Sequence, residues 1–447
     1  MSQVQELKTR IEQFSFDIER QREILRNLER DKGLLQRELN AIRDPITRLR
    51  LEISSQILLN CLPLYPRLGH RHIMSIFVLA KICNSWACIV ASTPALWASV
   101  HIDFPCDGDL LERWLERAGR SPLRISLAGY IDPVITSVIW ERWPEQLEHL
   151  EFSLTENEET YDAFDSSSFP AHQDTEGQLL GGIKNPAPLP SLKTLTISAA
   201  NVGCHWGPIS DLLHGSANLV DLVLNIDYSP EDGKCRDVVV LPNLRRMVLK
   251  TQRASQIKVL ERLAAPNLEV MSLSPATSAH WDVFVSFLER WSPPLRELTL
   301  NHPLYDTGSP ASASNDYLAL VPTLEYLQIQ YPSSITVDHL LTVLASHQDR
   351  AKILPNLGCL EFHIPLFLDN PRGTWEPFIR KLAARSVEIP DAHVGILLYR
   401  VGDEILAAFK ALAESSKDVK VYLGTGLKRR NILESHLDSS SSSDSDE

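Results

Sequence analysis

The chain reads as an α/β protein in three serial parts: a long N-terminal helix, a small all-α module, and a repeat array on a parallel sheet. Three observations predict this. A 3.5-residue apolar period runs through residues 1–43. Two apolar stripes at helical spacing, separated by prolines, fill 44–101. A six-residue frame, L-x-x-L-x-L, recurs between 102 and 430. At 447 residues the chain exceeds one ordinary core, and its 44% hydrophobic content suits globular burial.

In the first part, the a and d places of a heptad are Val4, Leu7, Ile11, Phe14, Ile18, Gln21, Leu25, Leu28, Lys32, Leu35, Leu39 and Ile42. Only Gln21 and Lys32 are polar. This period holds an apolar seam on one side of a helix. Asp44-Pro45 ends it, because proline disfavours helix in the residue before it. Two readings stay open: a coiled coil, pairing as a homodimer through 4–42 or with another helix, and an amphipathic helix packed on its own domain.

In the second part, Leu49, Ile53, Ile57, Leu58 and Leu62 have helical spacing, as do Leu79, Ile82, Cys83, Trp86 and Val90. Two prolines and a glycine in Pro63–Gly69 break the chain between them. Thr93-Pro94 predicts a third helix start, a hydroxyl cap with proline in the first turn. Leu96 and Trp97 are then expected to project. With the first helix they would leave an apolar surface for another protein; the alternative is a three-helix core with no partner.

The order of Leu49, Glu52 and Ile53, then Cys83 and Trp86, then Pro94, Leu96 and Trp97 resembles an F-box, specifically the F-box-like domains abundant in basidiomycete fungi. The resemblance covers about an eighth of the chain. It implies contacts with a Skp-type adaptor of a cullin complex through Leu49, Arg50, Glu52, Ile53, Ile57, Leu58, Leu96 and Trp97. Arg50 stands where the family usually has proline. A charge at an apolar contact carries a desolvation cost, although an arginine stem can lie along apolar surface with its head in water.

The third part carries eight frames: Leu147/Leu150/Phe152, Leu192/Leu195/Ile197, Leu219/Leu222/Leu224, Leu244/Met247/Leu249, Leu268/Met271/Leu273, Leu295/Leu298/Leu300, Leu324/Leu327/Ile329 and Leu357/Leu360/Phe362. Proline stands two residues before Leu192, Leu244, Leu268, Leu324 and Leu357. The x-L-x-L end alternates like a short strand, and the intervals carry helix signals at Val283–Leu288 and Val337–Leu344. One such unit cannot bury its own face, whereas stacked units can. Leu123–Leu127 is expected as an early strand and Val419–Leu423 as a last one.

The pattern resembles irregular leucine-rich repeats, which implies a solenoid with its parallel sheet on the concave side. The x positions of the frames would form that face: Lys193, Thr196, Asp221, Val223, Arg246, Val248, Val270, Ser272, Glu297, Thr299, Tyr326, Gln328 and Glu361. The functional reading is a client-binding surface, the alternative a solvated face. An acidic, Ser- and Pro-containing insert at 155–188 and a Ser-rich acidic tail at 431–447 read as disordered. Ser443 and Ser445 precede acids, as acceptors of acid-directed kinases do. Lys428, Arg429 and Arg430 suggest either a minimal nuclear signal or a solvated helix end.

Seven cysteines without a C-x-x-C pair suggest reduced thiols and a cytoplasmic or nuclear location. The net charge of −13 argues against nucleic acid as a partner, and no apolar run reaches a membrane span. No nucleophile elbow, phosphate loop, dinucleotide motif or H-E-x-x-H occurs. His70 and His72 read as a surface pair. No catalytic residue, cofactor or metal is therefore expected. The resemblance implies a substrate-recognition subunit of a Skp–cullin–F-box ubiquitin ligase, recruiting a client for ubiquitin-dependent degradation. The alternative is a ligase-independent, dimeric repeat scaffold with an inactive F-box.

Overall fold

A computed structural model describes residues 3–66, 76–104, 106–129, 133–154, 188–204, 206–228, 238–250, 254–273, 281–301, 316–330, 354–365, 393–399, 407, 410, 419–425 and 428–431. The chain is mixed α/β, with a long N-terminal helix and a ten-strand parallel sheet. It divides into two compact units, Met1–Ser126 and Leu127–Glu447. Residues 102–126 thus fall in the same unit as 44–101. The expected insert at 155–188 (all but Pro188), the tail from 432, His70, His72 and the Val337–Leu344 helix signal lie outside the described residues.

The first unit begins with α1 (Gln3–Arg43) and a single 3-10 turn, Pro45–Arg48. Asp44 caps that turn by accepting from the Ile46 amide at 2.9 Å. Its carboxylate also accepts from the Trp86 indole and lies 3.6 Å from the Cys83 sulfur. Next come α2 (Leu51–Cys61), α3 (Ile76–Ala80), α4 (Asn84–Ser92), α5 (Pro94–Trp97), β1 (Ser99–Asp103), α6 (Gly108–Ala118) and β2 (Leu123–Ala128). The second predicted stripe, Leu79 to Val90, is not one helix. Cys83 sits extended (φ −158°, ψ 172°) between α3 and α4. Thr93 caps nothing either: its hydroxyl donates to the Ile89 carbonyl at 2.7 Å and meets the Ser55 hydroxyl at 2.9 Å. The spacing of apolar residues continued through a turn that only the backbone reveals.

α6 is the amphipathic element that closes this unit. Asp107 caps it, accepting from the amides of Asp109 and Leu110. Leu111, Trp114, Leu115 and Ala118, at i, i+3, i+4 and i+7, are all buried. Gly119 ends it at φ +60°, a left-handed conformation that glycine adopts without a Cβ penalty.

The second unit contains α7 (Pro133–Arg142), β3 (Leu147–Ser153), β4 (Thr194–Cys204), α8 (Trp206–His214), β5 (Asp221–Tyr228), β6 (Val239–Val240), β7 (Arg246–Leu249), β8 (Leu263–Ala264), β9 (Val270–Leu273), α9 (Trp281–Trp291), β10 (Glu297–Asn301), β11 (Tyr326–Gln330), β12 (Cys359–Pro365), β13 (His393–Tyr399), β14 (Val419–Thr425) and β15 (Lys428–Asn431). Short 3-10 turns stand at Ala254–Arg262 and Asp316–Leu320. The sheet runs β3-β4-β5-β7-β9-β10-β11-β12-β13-β14 in chain order, every pair parallel. β15 joins antiparallel on β14. β6 and β8 form a separate two-residue parallel pair.

All eight leucine frames carry a strand, and their spacing explains the stacking. In register, Leu150, Leu195, Leu222, Met247, Met271, Leu298, Leu327 and Leu360 form one buried row. Phe152, Ile197, Leu224, Leu249, Leu273, Leu300, Ile329 and Phe362 form the next. Side chains two apart share a face of a strand, so the L-x-L spacing sends both rows into one core. The prolines before five of the frames have a turn to make. The amides of Leu192, Leu244, Leu268, Leu324 and Leu357 donate to the carbonyls three residues back, closing turns with proline second. The residues that open those turns, Leu189, Leu241, Ala265, Val321 and Leu354, are fully buried. The repeat is thus longer than the six-residue frame.

Polar ties join successive turns. The side-chain amides of Asn218, Asn243, Asn267 and Asn356 donate to the carbonyls of Pro190, Ala217, Pro242 and Pro322, at 2.7–3.2 Å. Thr323 makes the equivalent bond to Leu295. Five of the described strands escaped the sequence reading: β1, β6, β8, β13 and β15. β13 has no leucine frame, and β15 contains the basic residues Lys428, Arg429 and Arg430, expected as a nuclear signal or a helix end. They lie in a strand that pairs antiparallel with β14, Thr425 opposite Lys428.

Candidate functional site

The start of α2 presents an apolar patch to solvent. Leu49 is 42% exposed, Leu51 49% and Ile53 50%. Leu51 was not singled out from the sequence, because it lies off the i, i+4 stripe. Arg50 stands at the N-cap with φ −65° and ψ 149°, and its carbonyl receives the amides of Ile53 and Ser54 at 3.0 Å. Leu49 before it is extended, φ −88° and ψ 157°. These dihedrals are the ones a Leu-Pro step would take. Glu52 is exposed in the first turn, where a carboxylate opposes the positive end of the helix. Ile57 is half-buried, and Leu58 points into the core with no exposed surface.

Leu96 and Trp97 do not project. They are 1% and 2% exposed. The Trp97 indole donates to the Val90 carbonyl at 2.8 Å. Its ring meets Trp114 edge-on at 5.1 Å and Phe77 at 5.9 Å, with the Arg117 guanidinium 4.5 Å from its centre. Trp114 and Arg117 belong to α6. That helix lies beyond the 44–101 segment on which the expectation of projecting side chains rests, and it covers Trp97. Of the eight residues implied for adaptor contact, the structure brings Leu49, Arg50, Glu52 and Ile53 together on the surface, keeps Ile57 at their edge, and removes Leu58, Leu96 and Trp97 to the core.

In the second unit, the x positions align in rows on the face opposite the leucine rows. One row runs Thr194, Asp221, Arg246, Val270, Glu297, Tyr326, Cys359. The next runs Glu151, Thr196, Val223, Val248, Ser272, Thr299, Gln328, Glu361. Lys193 lies outside both, in an earlier row that runs Glu148, Lys193, Val220, Arg245, Glu269, Arg296, Glu325, each amide after the first bonded to the carbonyl before it. Opposite charges pair along it: Lys193 with Glu148 at 2.6 Å, Arg245 with Glu269 at 3.2 Å and Arg296 with Glu325 at 3.8 Å. Arg246 pairs with Asp221 at 3.0 Å. Lys193 also lines a groove of about 510 Å³ with Asn218, Asn243 and Arg245.

The rows differ in character along the sheet. Asp221, Arg246, Glu297 and Lys193 reach solvent, as do Thr196 and Ser272 in part. Val248, Gln328 and Glu361 are buried. Glu361 accepts from the Tyr326 hydroxyl at 2.5 Å and lies 3.2 Å from a His363 ring nitrogen. Gln328 bonds the same ring and accepts from Thr299 at 3.1 Å. A buried carboxylate needs such partners, since leaving it unpaired is costly. Gln328 is therefore part of a closed polar cluster, not an open contact position. His363 escaped the sequence reading. Its signal is the next alternate place in the strand, one step beyond the frame.

Among the described residues no three of His, Cys, Asp and Glu converge as a metal site, and no helix is long and apolar enough to cross a membrane. Compared with known proteins, the chain matches no family model and no curated protein.

Proposed function

We propose that the chain is a substrate-recognition subunit of a Skp–cullin–F-box ubiquitin ligase. In this reading 44–101 is an F-box-like domain, and the array is a leucine-rich-repeat solenoid whose outward x positions hold a client protein. The observation that carries the proposal is the exposed trio Leu49, Leu51 and Ile53 around a Leu-Pro-like step at the start of α2. An apolar cluster raised on a helix start and backed by a rigid aromatic core suits a preorganised docking surface. The open part of the array face, Lys193, Thr196, Asp221, Arg246, Ser272 and Glu297, supports client binding through mixed polar chemistry. The chain performs no chemistry itself; it raises the client's effective concentration at the ligase.

The test is capture of a purified Skp-type adaptor by the full chain, beside a Leu49→Asp/Ile53→Asp variant. Both side chains are about half exposed, so the variant retains its core. Binding by the parent and a loss of about a hundredfold or more in the variant is the expected result, because burying an unpaired carboxylate costs several kcal/mol. Arg50, a charge in the centre of the patch, favours a second reading: a ligase-independent scaffold with an inactive box. Absence of adaptor binding by the parent would replace the first reading with the second.

A further inference from the structure

The largest uncovered apolar surface among the described residues is the seam of α1. Leu7, Ile11, Phe14, Ile18, Leu25, Leu28, Leu35, Leu39 and Ile42 are all 42–80% exposed. The helix is tied to its own unit near one end only in the bonds described, where the Asn40 side chain donates to the Ile82 carbonyl at 2.9 Å. Asn40 occupies a b place of the heptad, outside the seam. The unit therefore holds α1 by its outer face and leaves the a/d stripe free. At 41 residues the helix exceeds the three or four heptads that sustain a coiled coil.

We infer that α1 pairs in parallel and in register with α1 of a second copy of this chain. The flanking charges choose this occupant. In a parallel pair each g residue faces the e residue five places later on the other helix. Asp17 then meets Arg22 of the second copy, and Glu38 meets Arg43. The other facing sets are Gln3 with Lys8, Arg10 with Ser15, Ile24 with Glu29 and Asp31 with Gln36. Among these flanking sets two attractive pairs, each occurring twice by symmetry, stand against no like-charged pair; the one like-charged contact, Lys32 with Lys32 at the seam, has Asp31 beside it on each helix. Antiparallel pairing sets g against g, where the attraction of Arg10 for Glu38 is cancelled by the repulsion of Asp17 and Asp31. The polar places fix the register. In register Gln21 faces Gln21 and Lys32 faces Lys32, with Asp31 alongside. A slip of one heptad would set each against an apolar residue. The Arg22 guanidinium rests on Glu19 at 2.6 Å, with both side chains over 60% exposed, so it is accessible to a neighbouring helix. Phe16 and Leu34 lie off the seam and take no part.

The test uses the full chain. Light scattering after size exclusion at micromolar concentration should give twice the chain mass. Arg22→Glu/Arg43→Glu and Asp17→Arg/Glu38→Arg should each dimerise more weakly, on the order of tenfold or more. An equimolar mixture of the two should restore the dimer, because the reversed charges then match. Under oxidation Leu35→Cys, a d place, should crosslink two copies where the parent does not. All these side chains are exposed, and unchanged far-ultraviolet circular dichroism checks that the helix persists. A monomeric parent, dimers equally tight in both charge variants, a mixture that fails to pair, or no Leu35→Cys crosslink would each overturn the inference. Adaptor capture reads Leu49 and Ile53 in a different element, so the two proposals stand or fall separately.

Discussion

Arg50 illustrates how a side chain and its backbone can differ in what they report. Its φ of −65° falls where the proline ring would lock it, and Leu49 before it is already extended. Arg50→Pro would remove unfolded conformations without disturbing the folded ones, provided the Arg50 amide makes no needed bond. The expected gain is about 0.4–1 kcal/mol, read as a higher denaturant midpoint. A loss instead would show that the amide or the guanidinium has a partner. Asp44 works differently: one carboxylate caps a turn and receives the Trp86 indole from α4, joining residues that the sequence places 42 apart. Tyr317 is buried against Phe284, at a ring distance of 5.8 Å, and burial holds its phenol neutral well above the usual tyrosine range.

Among the elements, α1 contains its own weak point. Gly33 sits mid-helix, and a Cβ built there meets nothing within 4 Å. Gly33→Ala is expected to stabilise the helix by about 0.5–1 kcal/mol, seen as greater helicity and a later thermal loss of it. Because Gly33 is a b place, the seam is untouched and the chain mass in solution should not change. A decrease in helicity would mean that the outer face at 33 carries a contact. α9 shows the opposite case. Ser292, just beyond it, has φ +41°, and its amide closes on the Leu288 carbonyl at 2.8 Å, a left-handed ending made without glycine.

For the whole molecule, the decisive quantity is burial in the leucine rows. Leu298 is completely buried, with Met271 and Leu327 on the flanking strands. Leu298→Ala should cost about 2–5 kcal/mol, from lost transfer energy and the cavity left behind. Lys193→Ala removes an ion pair in which the lysine is more than half exposed, and should cost no more than about 1 kcal/mol. Comparing the two denaturant midpoints checks whether the array is held by its core or by its charged edge. Near-equal losses would refute the core account.

Periodicity alone was enough to locate the long helix, the eight frame strands and the buried rows between them. Those follow from geometry that each residue carries locally: 3.5 or 3.6 residues per turn, and two per strand repeat. The prolines before the frames were visible too, although their turns and the asparagine ties needed coordinates. Tertiary structure alone decided which apolar residues stay outside. Leu49, Ile53, Leu96 and Trp97 read alike as apolar residues in helical segments, yet the last two are buried, Trp97 under α6, and nothing described covers the first two. It also decided that Gln328 and Glu361 close into a polar cluster with His363, while Asp221 and Glu297, on the same sheet face, reach solvent. The reason is common to both cases. A side chain's exposure depends on what distant segments lay over it, and sequence spacing records only its neighbours along the chain.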